Sequence, residues 1–113
     1  MHIADFYTCN AGGTPMSTFT SSNDPYWKVK VFDAGGSPVS GVSVVTKLYK
    51  PDGTLFMSYT QTTDASGIAT FHQNLVNSSP KGTWTITVVS LTKSGWTYDP
   101  GANVKSQTTF IYQ

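Results

Sequence analysis

A chain of 113 residues with a formal net charge of +1 and 12% charged side chains is the size of one ordinary domain, and its charged share is about half the usual one. All seven cations are lysines, scattered from Lys28 to Lys105, and all six anions are aspartates; without an arginine fork or a basic run, the footprint of nucleic-acid binding is missing. No apolar stretch reaches the ~20 residues that span a bilayer, and Met1-His2-Ile3-Ala4-Asp5 has neither a cationic nor an apolar signal region, so neither membrane insertion nor a signal peptide is expected.

The opening His2-Ile3-Ala4-Asp5-Phe6-Tyr7-Thr8 can form a first strand. Asn10 to Pro25 is rich in glycine, serine and threonine, carries almost no hydrophobic pattern and reads as a long loop. Tyr26 to Asp33 alternates, with Trp27, Val29 and Val31 on one face and Lys28 and Lys30 on the other, which is the period of a half-buried strand. Asp33-Ala34-Gly35-Gly36-Ser37-Pro38 supplies turn residues, and Gly41 to Tyr49 resumes the alternation with Val42, Val44 and Leu48 inward. Pro51-Asp52-Gly53 predicts a hairpin between that strand and Leu55–Thr62. Asp64-Ala65-Ser66-Gly67 is a further turn, after which Ala69, Phe71 and Leu75 face the core. Trp84, Ile86 and Val88 mark the clearest strand, with Thr85 and Thr87 opposite. Lys93 to Val104 is a loop holding Trp96 and Tyr98, and Lys105 to Tyr112 closes a single domain spanning residues 1–113. Seven short strands with turn signals about every ten residues predict an all-β sandwich or barrel.

Three segments carry a resemblance. Val31-Phe32-Asp33-Ala34-Gly35-Gly36-Ser37-Pro38-Val39-Ser40-Gly41-Val42, Thr63-Asp64-Ala65-Ser66-Gly67-Ile68-Ala69-Thr70-Phe71 and Lys81-Gly82-Thr83-Trp84-Thr85-Ile86-Thr87-Val88, in this order and spacing, resemble bacterial immunoglobulin-like domains. Such domains occur as repeats of invasin- and intimin-type adhesins and as appendages of secreted hydrolases. The resemblance covers about Tyr26 to Tyr112. It implies an immunoglobulin-like Greek-key sandwich of about seven antiparallel strands and a secreted or surface-displayed protein. It brings no common catalytic residues.

The residues themselves point away from catalysis. His2 and His72 are the available bases, neither in a recognisable motif; His72 falls on the outward side of its strand and His2 at the chain start. There is no Gly-x-Ser-x-Gly elbow and no glutamate for paired-carboxylate chemistry. The lone Cys9 closes no internal disulfide and sits near no metal-ligand spacing. Lys28 or Lys30 with Asn103 are the candidates for a Lys–Asn crosslink, although both lysines face outward, and Asn77-Ser78-Ser79 matches a glycosylation acceptor.

Ligand candidates gather in one loop. Trp96 and Tyr98 with Asp99 and Asn103 have the chemistry of a sugar platform, because sugar C–H faces dock on aromatic planes while hydroxyls need amides and carboxylates. Against it stands a structural role: Trp96 covering one end of the sandwich and Tyr98 making a corner hydrogen bond. Asp5, Asp99 and Asn103 are hard oxygen donors of the kind calcium takes, without the dense acidic spacing of a calcium loop. The expectation is therefore a non-catalytic accessory, spacer or interaction module with neighbouring domains of its parent protein as partners. Polysaccharide or another surface protein is the further partner class, and the alternatives are a carbohydrate-binding module using the loop aromatics and a calcium-stabilised adhesin repeat.

Overall fold

In the strand Tyr26–Phe32 every second residue is fully buried, Trp27, Val29 and Val31, and the strand Ser43–Tyr49 repeats the pattern with Val44, Thr46 and Leu48. This period-two burial is what a strand with one covered face requires. The computed structural model describes all 113 residues and contains eight strands. In chain order they are β1 (His2–Cys9), β2 (Thr18–Phe19), β3 (Tyr26–Phe32), β4 (Ser43–Tyr49), β5 (Leu55–Thr62), β6 (Ile68–His72), β7 (Gly82–Thr92) and β8 (Gln107–Tyr112). One turn of 3-10 helix, Pro100–Ala102, precedes β8. They form two sheets, ordered β1-β3-β6 and β2-β8-β7-β4-β5.

The sheets share one core, a sandwich-like arrangement in which Ile3, Phe6, Trp27, Val29, Val31, Ala69 and Phe71 meet Val44, Leu48, Trp84, Ile86, Phe110 and Tyr112. Trp27 stacks on Phe71 at 5.7 Å and meets Tyr59 edge-on at 5.0 Å. Trp84 stacks on Phe110 at 6.1 Å and takes the edge of Phe56 at 5.2 Å. The Trp27 indole N–H donates to Thr46 Oγ1 at 3.2 Å across the buried gap. Thus a side chain of the three-stranded sheet is bonded to one of the five-stranded sheet.

The strand count corrects the expectation of about seven antiparallel strands. The segment 10–25 is not loop throughout, because β2 lies within it and pairs parallel with β8, Thr18 opposite Ile111 and Phe19 opposite Tyr112. Phe19 is fully buried, its ring edge-on to Phe110 at 5.5 Å. Two residues are too few to show a period, so the hydrophobic pattern had nothing to reveal. The strand expected from Gly41 begins at Ser43. Gly41 itself turns at φ +73°, and the amides of Gly41 and Val42 donate to Thr63, to its carbonyl and its Oγ1. The last strand likewise begins at Gln107, not Lys105. His2 belongs to β1, opposite Phe32.

Four tight turns share one chemistry. In Asn10–Thr14, Asp33–Ser37 and Asp64–Ile68 the first side chain accepts, through Oδ1, the amides two and four residues on. In the backbone the first residue's amide donates to the fifth carbonyl and the fourth residue's amide to the first carbonyl, and the fourth residue is a glycine at positive φ: Gly13, Gly36 and Gly67. Lys50–Thr54 has the same backbone bonds with Gly53 in that place, and its Asp52 accepts from both the amide and the hydroxyl of Thr54. This is the hairpin turn in which a type I bend is followed by one left-handed residue. The Asp52 carboxyl lies below its ordinary range because Thr54 bonds the charged form.

Gly67 is the most constrained of these glycines. A Cβ there would lie 2.6 Å from the Val31 carbonyl oxygen and 2.9 Å from Pro38 Cβ, whereas Gly53 has nothing within 4 Å. Gly67→Ala should therefore cost about 3 kcal/mol or more, backbone clash added to left-handed strain, against about 1–2 kcal/mol for Gly53→Ala. Chemical denaturation of the two variants checks the ordering.

Burial pushes the Tyr59 hydroxyl, which donates to Gln73 Oε1, well above its ordinary value of 10.0. The fold thus favours the neutral phenol. This contribution is complete below the unfolded value and is lost as pH rises past it towards the folded one. Thermal melts from about pH 8 to about pH 11 should show a steeper alkaline fall for the parent chain than for Tyr59→Phe, which costs about 1 kcal/mol at neutral pH.

Candidate functional site

The strand directions give the molecule two ends, set along a long axis of 43 Å. One end holds the start of β1, the β3–β4 connection, the turn between β5 and β6 and the long connection 93–106 between β7 and β8. The other holds the end of β1, segments 10–17 and 20–25, the β4–β5 turn and the β6–β7 connection.

At the first end, Lys93–Trp96 forms a turn in which the Trp96 amide donates to the Lys93 carbonyl and Gly95 sits at φ +81°. Trp96 is 42% exposed, and its ring is approached by Lys93 Nζ, 5.5 Å from the ring centre. That ammonium is held in place by the Ser40 carbonyl at 2.6 Å. The ring is thus backed by a cation and open to solvent, a geometry of weak cation–π contact.

Tyr98 is a different kind of residue. It is partly buried and packs against the core. Its hydroxyl accepts from Asn103 Nδ2 at 2.6 Å, and Asn103 Oδ1 accepts the Ile3 amide at 2.7 Å. Around this pair the backbone is sewn to β1: the Asp99 amide donates to the Met1 carbonyl and the Val104 amide to the Ile3 carbonyl. The structure therefore brings Tyr98 and Asn103 together as a clamp on the first strand and leaves Trp96 outside it. Of the two groups expected to offer hydrogen bonds to a sugar, Asn103 is engaged within the protein, whereas the exposed Asp99 carboxylate has no protein partner.

Two of the three calcium donors, Asp5 and Asn103, each have a side-chain oxygen engaged. Asp5 lies at an irregularity of the β1–β3 register and accepts the Phe6 amide through Oδ1, and Asn103 Oδ1 serves Ile3. The Asp99 side chain makes no cap on the 3-10 turn that follows it. No three His, Cys, Asp or Glu side chains converge anywhere in the chain. Asn103, the amide considered for a crosslink, has both side-chain polar atoms engaged, while Lys28 reaches towards the loop at Gly13. Cys9 is buried, and burial pushes its thiol above the ordinary range.

The second end carries a cluster that the sequence did not single out. His72, exposed on β6, pairs with Asp24 at 2.9 Å, and its ring stacks on Tyr26 with centres 4.2 Å apart and planes 7° apart. Beside them a cleft of about 390 Å³ opens between 10–12 and 22–24, walled by Tyr26. The parity that placed His72 outward is correct. Its partner, however, lies 48 residues earlier, in a segment without pattern, and no spacing rule joins the two. The signal available was the aromatic Tyr26 beginning a strand directly after Asp24-Pro25.

No protein-family model matches the chain, and no curated protein matches it.

The clamp has a measurable consequence. Asn103→Ala leaves the Ile3 amide and the Tyr98 hydroxyl without partners and should lower stability by about 1–3 kcal/mol, while Trp96→Ala should stay within about 0.5 kcal/mol of the parent. Equilibrium urea unfolding of both variants checks this. Equal losses would show that the clamp does not hold the loop.

Proposed function

We propose that this chain is an immunoglobulin-like Greek-key module of a secreted or surface-displayed bacterial protein, acting without catalysis as a stiff spacer or interaction unit beside other domains of its parent. The strand order supports the reading. β1, β3 and β6 correspond to strands A, B and E of an immunoglobulin-like sandwich, and β8, β7, β4 and β5 to G, F, C and a following edge strand, with β2 as a short second part of A. On that correspondence β3 and β7 stand where antibody domains carry their inter-sheet disulfide, and each bears a buried tryptophan, Trp27 and Trp84. A cystine-free core of this kind needs no oxidising step to fold.

The observation that carries the spacer role is the course of the chain through the sandwich. β1 starts at one end of the 43 Å axis and β8 finishes at the other, where Tyr112 faces Gly82 at the beginning of β7. Modules that receive the chain at one pole and release it at the other line up end to end. The Tyr98–Asn103 clamp stiffens the first pole by holding the 97–104 segment to β1. A carbohydrate platform built from Trp96 and Tyr98 is the weaker reading on this geometry, because Tyr98 and Asn103 are bonded to each other and to β1, leaving the Trp96 ring and the Asp99 carboxylate alone outside the clamp.

Two copies of the chain joined directly end to end test the role. Small-angle scattering should give a rod with a maximum dimension near twice the 43 Å axis of one copy, whereas a folded-back pair of ordinary single-copy width would sink the spacer reading.

A further inference from the structure

Cys9, Tyr26 and His72 stand directly opposite one another across β1, β3 and β6. Because the Tyr26 and His72 rings are parallel and 4.2 Å apart, about the spacing of neighbouring strands, their stacking direction runs along this row. His72 covers the Tyr26 face on the β6 side. On the β1 side Tyr26 stands opposite the buried Cys9, and it lines the cleft together with Asn10–Gly12 and Ser22–Asp24. An aromatic ring supported by His72 thus belongs to the wall of the cleft.

The other walls offer hydrogen-bonding groups that the fold holds in place and leaves unfilled. Asp24 is fixed by His72 through Oδ2, and Oδ1 has no protein partner. Asn10 uses Oδ1 for the amides of Gly12 and Thr14, so its side chain is held while Nδ2 remains a free donor. The Ser22 hydroxyl shares one bond with Thr20 and has capacity for another. An aromatic ring, a carboxylate acceptor and an amide donor lining one cleft are the groups that a sugar ring requires, since its C–H face is apolar and its rim is a set of hydroxyls. Asp24 is the one charged residue lining the cleft, which disfavours an anionic sugar. The volume, about 390 Å³, lies at the low end of the ~300–1,000 Å³ typical of ligand sites.

We propose that the cleft formed by Asn10–Gly12, Ser22–Asp24 and Tyr26 binds a neutral pyranose, as a terminal unit of a glycan. His72 is a positioning residue: it holds both the Tyr26 ring and the Asp24 carboxylate. The site lies at the opposite end of the molecule from Trp96 and is independent of the spacer reading, so the scattering experiment and the one below can fail separately.

The probes are glucose, galactose, mannose, N-acetylglucosamine and, as the anionic case, glucuronate, titrated into the isotope-labelled chain and followed by amide and aromatic NMR shifts. At least one neutral sugar should give saturable shifts centred on Asn10, Gly12, Asp24, Tyr26 and His72, with glucuronate silent. Tyr26→Ala and Asp24→Ala should each weaken binding by about tenfold or more, and Trp96→Ala should leave it unchanged. Asp24→Asn keeps the side-chain shape and removes the charge, so it reports on the carboxylate in a chain whose spectrum shows it folded. The proposal is overturned if no neutral sugar moves these residues at up to about 50 mM, if the shifts centre on Trp96, if glucuronate binds as well as the neutral sugars, or if both Asp24 variants bind like the parent.

Discussion

The bond from the Trp27 indole to Thr46 Oγ1 is the constraint around which the two sheets are arranged. Trp27 is the largest side chain of the three-stranded sheet, and it is fully buried. Its N–H must find a partner there, because an unpaired buried donor costs about 1–3 kcal/mol. The partner is a threonine at an inward position of β4, between Val44 and Leu48. A hydroxyl at that place is otherwise a polar group in an apolar layer. Each of the two residues therefore explains the other, and the pair fixes how far β3 can slide over β4. The aromatic contacts follow from that placement: Phe71 and Tyr59 close on Trp27 from two sides, and the Trp84 cluster fills the neighbouring half of the core.

What sets the strand ends is a repeated turn chemistry. Asn10, Asp33 and Asp64 each collect two amides on one side-chain oxygen, and each is followed three residues later by a glycine at positive φ. An Asp or Asn oxygen mimics a backbone carbonyl at short range, and glycine accepts the left-handed residue that the strand twist then demands. At Gly67 this local rule meets a tertiary one, for the Val31 amide donates to the Gly67 carbonyl and Val39 returns a bond to the Val31 carbonyl. The turn between β5 and β6 is thereby locked to the start of the β3–β4 connection. Thr63 adds a second lock, accepting the Val42 amide and donating to the Val39 carbonyl.

Most of this was legible in the amino-acid order, because period-two burial and turn residues are local signals. The inward sets Trp27-Val29-Val31, Val42-Val44-Leu48, Ala69-Phe71 and Trp84-Ile86-Val88 are all buried, and Asp33 and Asp64 cap their turns as their neighbours suggested. The miss was Asn10 to Pro25. Its opening Asn10-Ala11-Gly12-Gly13-Thr14 follows the pattern of Asp33-Ala34-Gly35-Gly36-Ser37 residue for residue in type, so the first turn could have been found by that comparison. β2 could not, since Phe19 is one buried residue in a polar stretch and its partner strand is 90 residues away. Residue type alone puts Tyr98 and Asn103 with Trp96 and Asp99 in a candidate sugar platform. Which of its hydrogen bonds were already taken depended on Ile3, at the far end of the chain, and no local pattern carries that information.

The two ends of the sandwich differ in one physical respect that composition hides. Both present an aromatic ring near an amide and an aspartate: Tyr98, Asn103 and Asp99 at one, Tyr26, Asn10 and Asp24 at the other. At the first end the amide donates to the phenol and accepts from β1, so these two groups close the structure on itself while Asp99 stays outside the clamp. At the second, the amide oxygen is used locally within its own turn and the carboxylate is held from outside by His72, leaving one polar atom of each without a protein partner. Satisfied groups stabilise a fold, and held but unsatisfied groups are what a ligand can complete. A phenol and an amide thus make a clamp where they bond to one another, while at the other end the amide and the carboxylate are each bonded to something else beside a cleft.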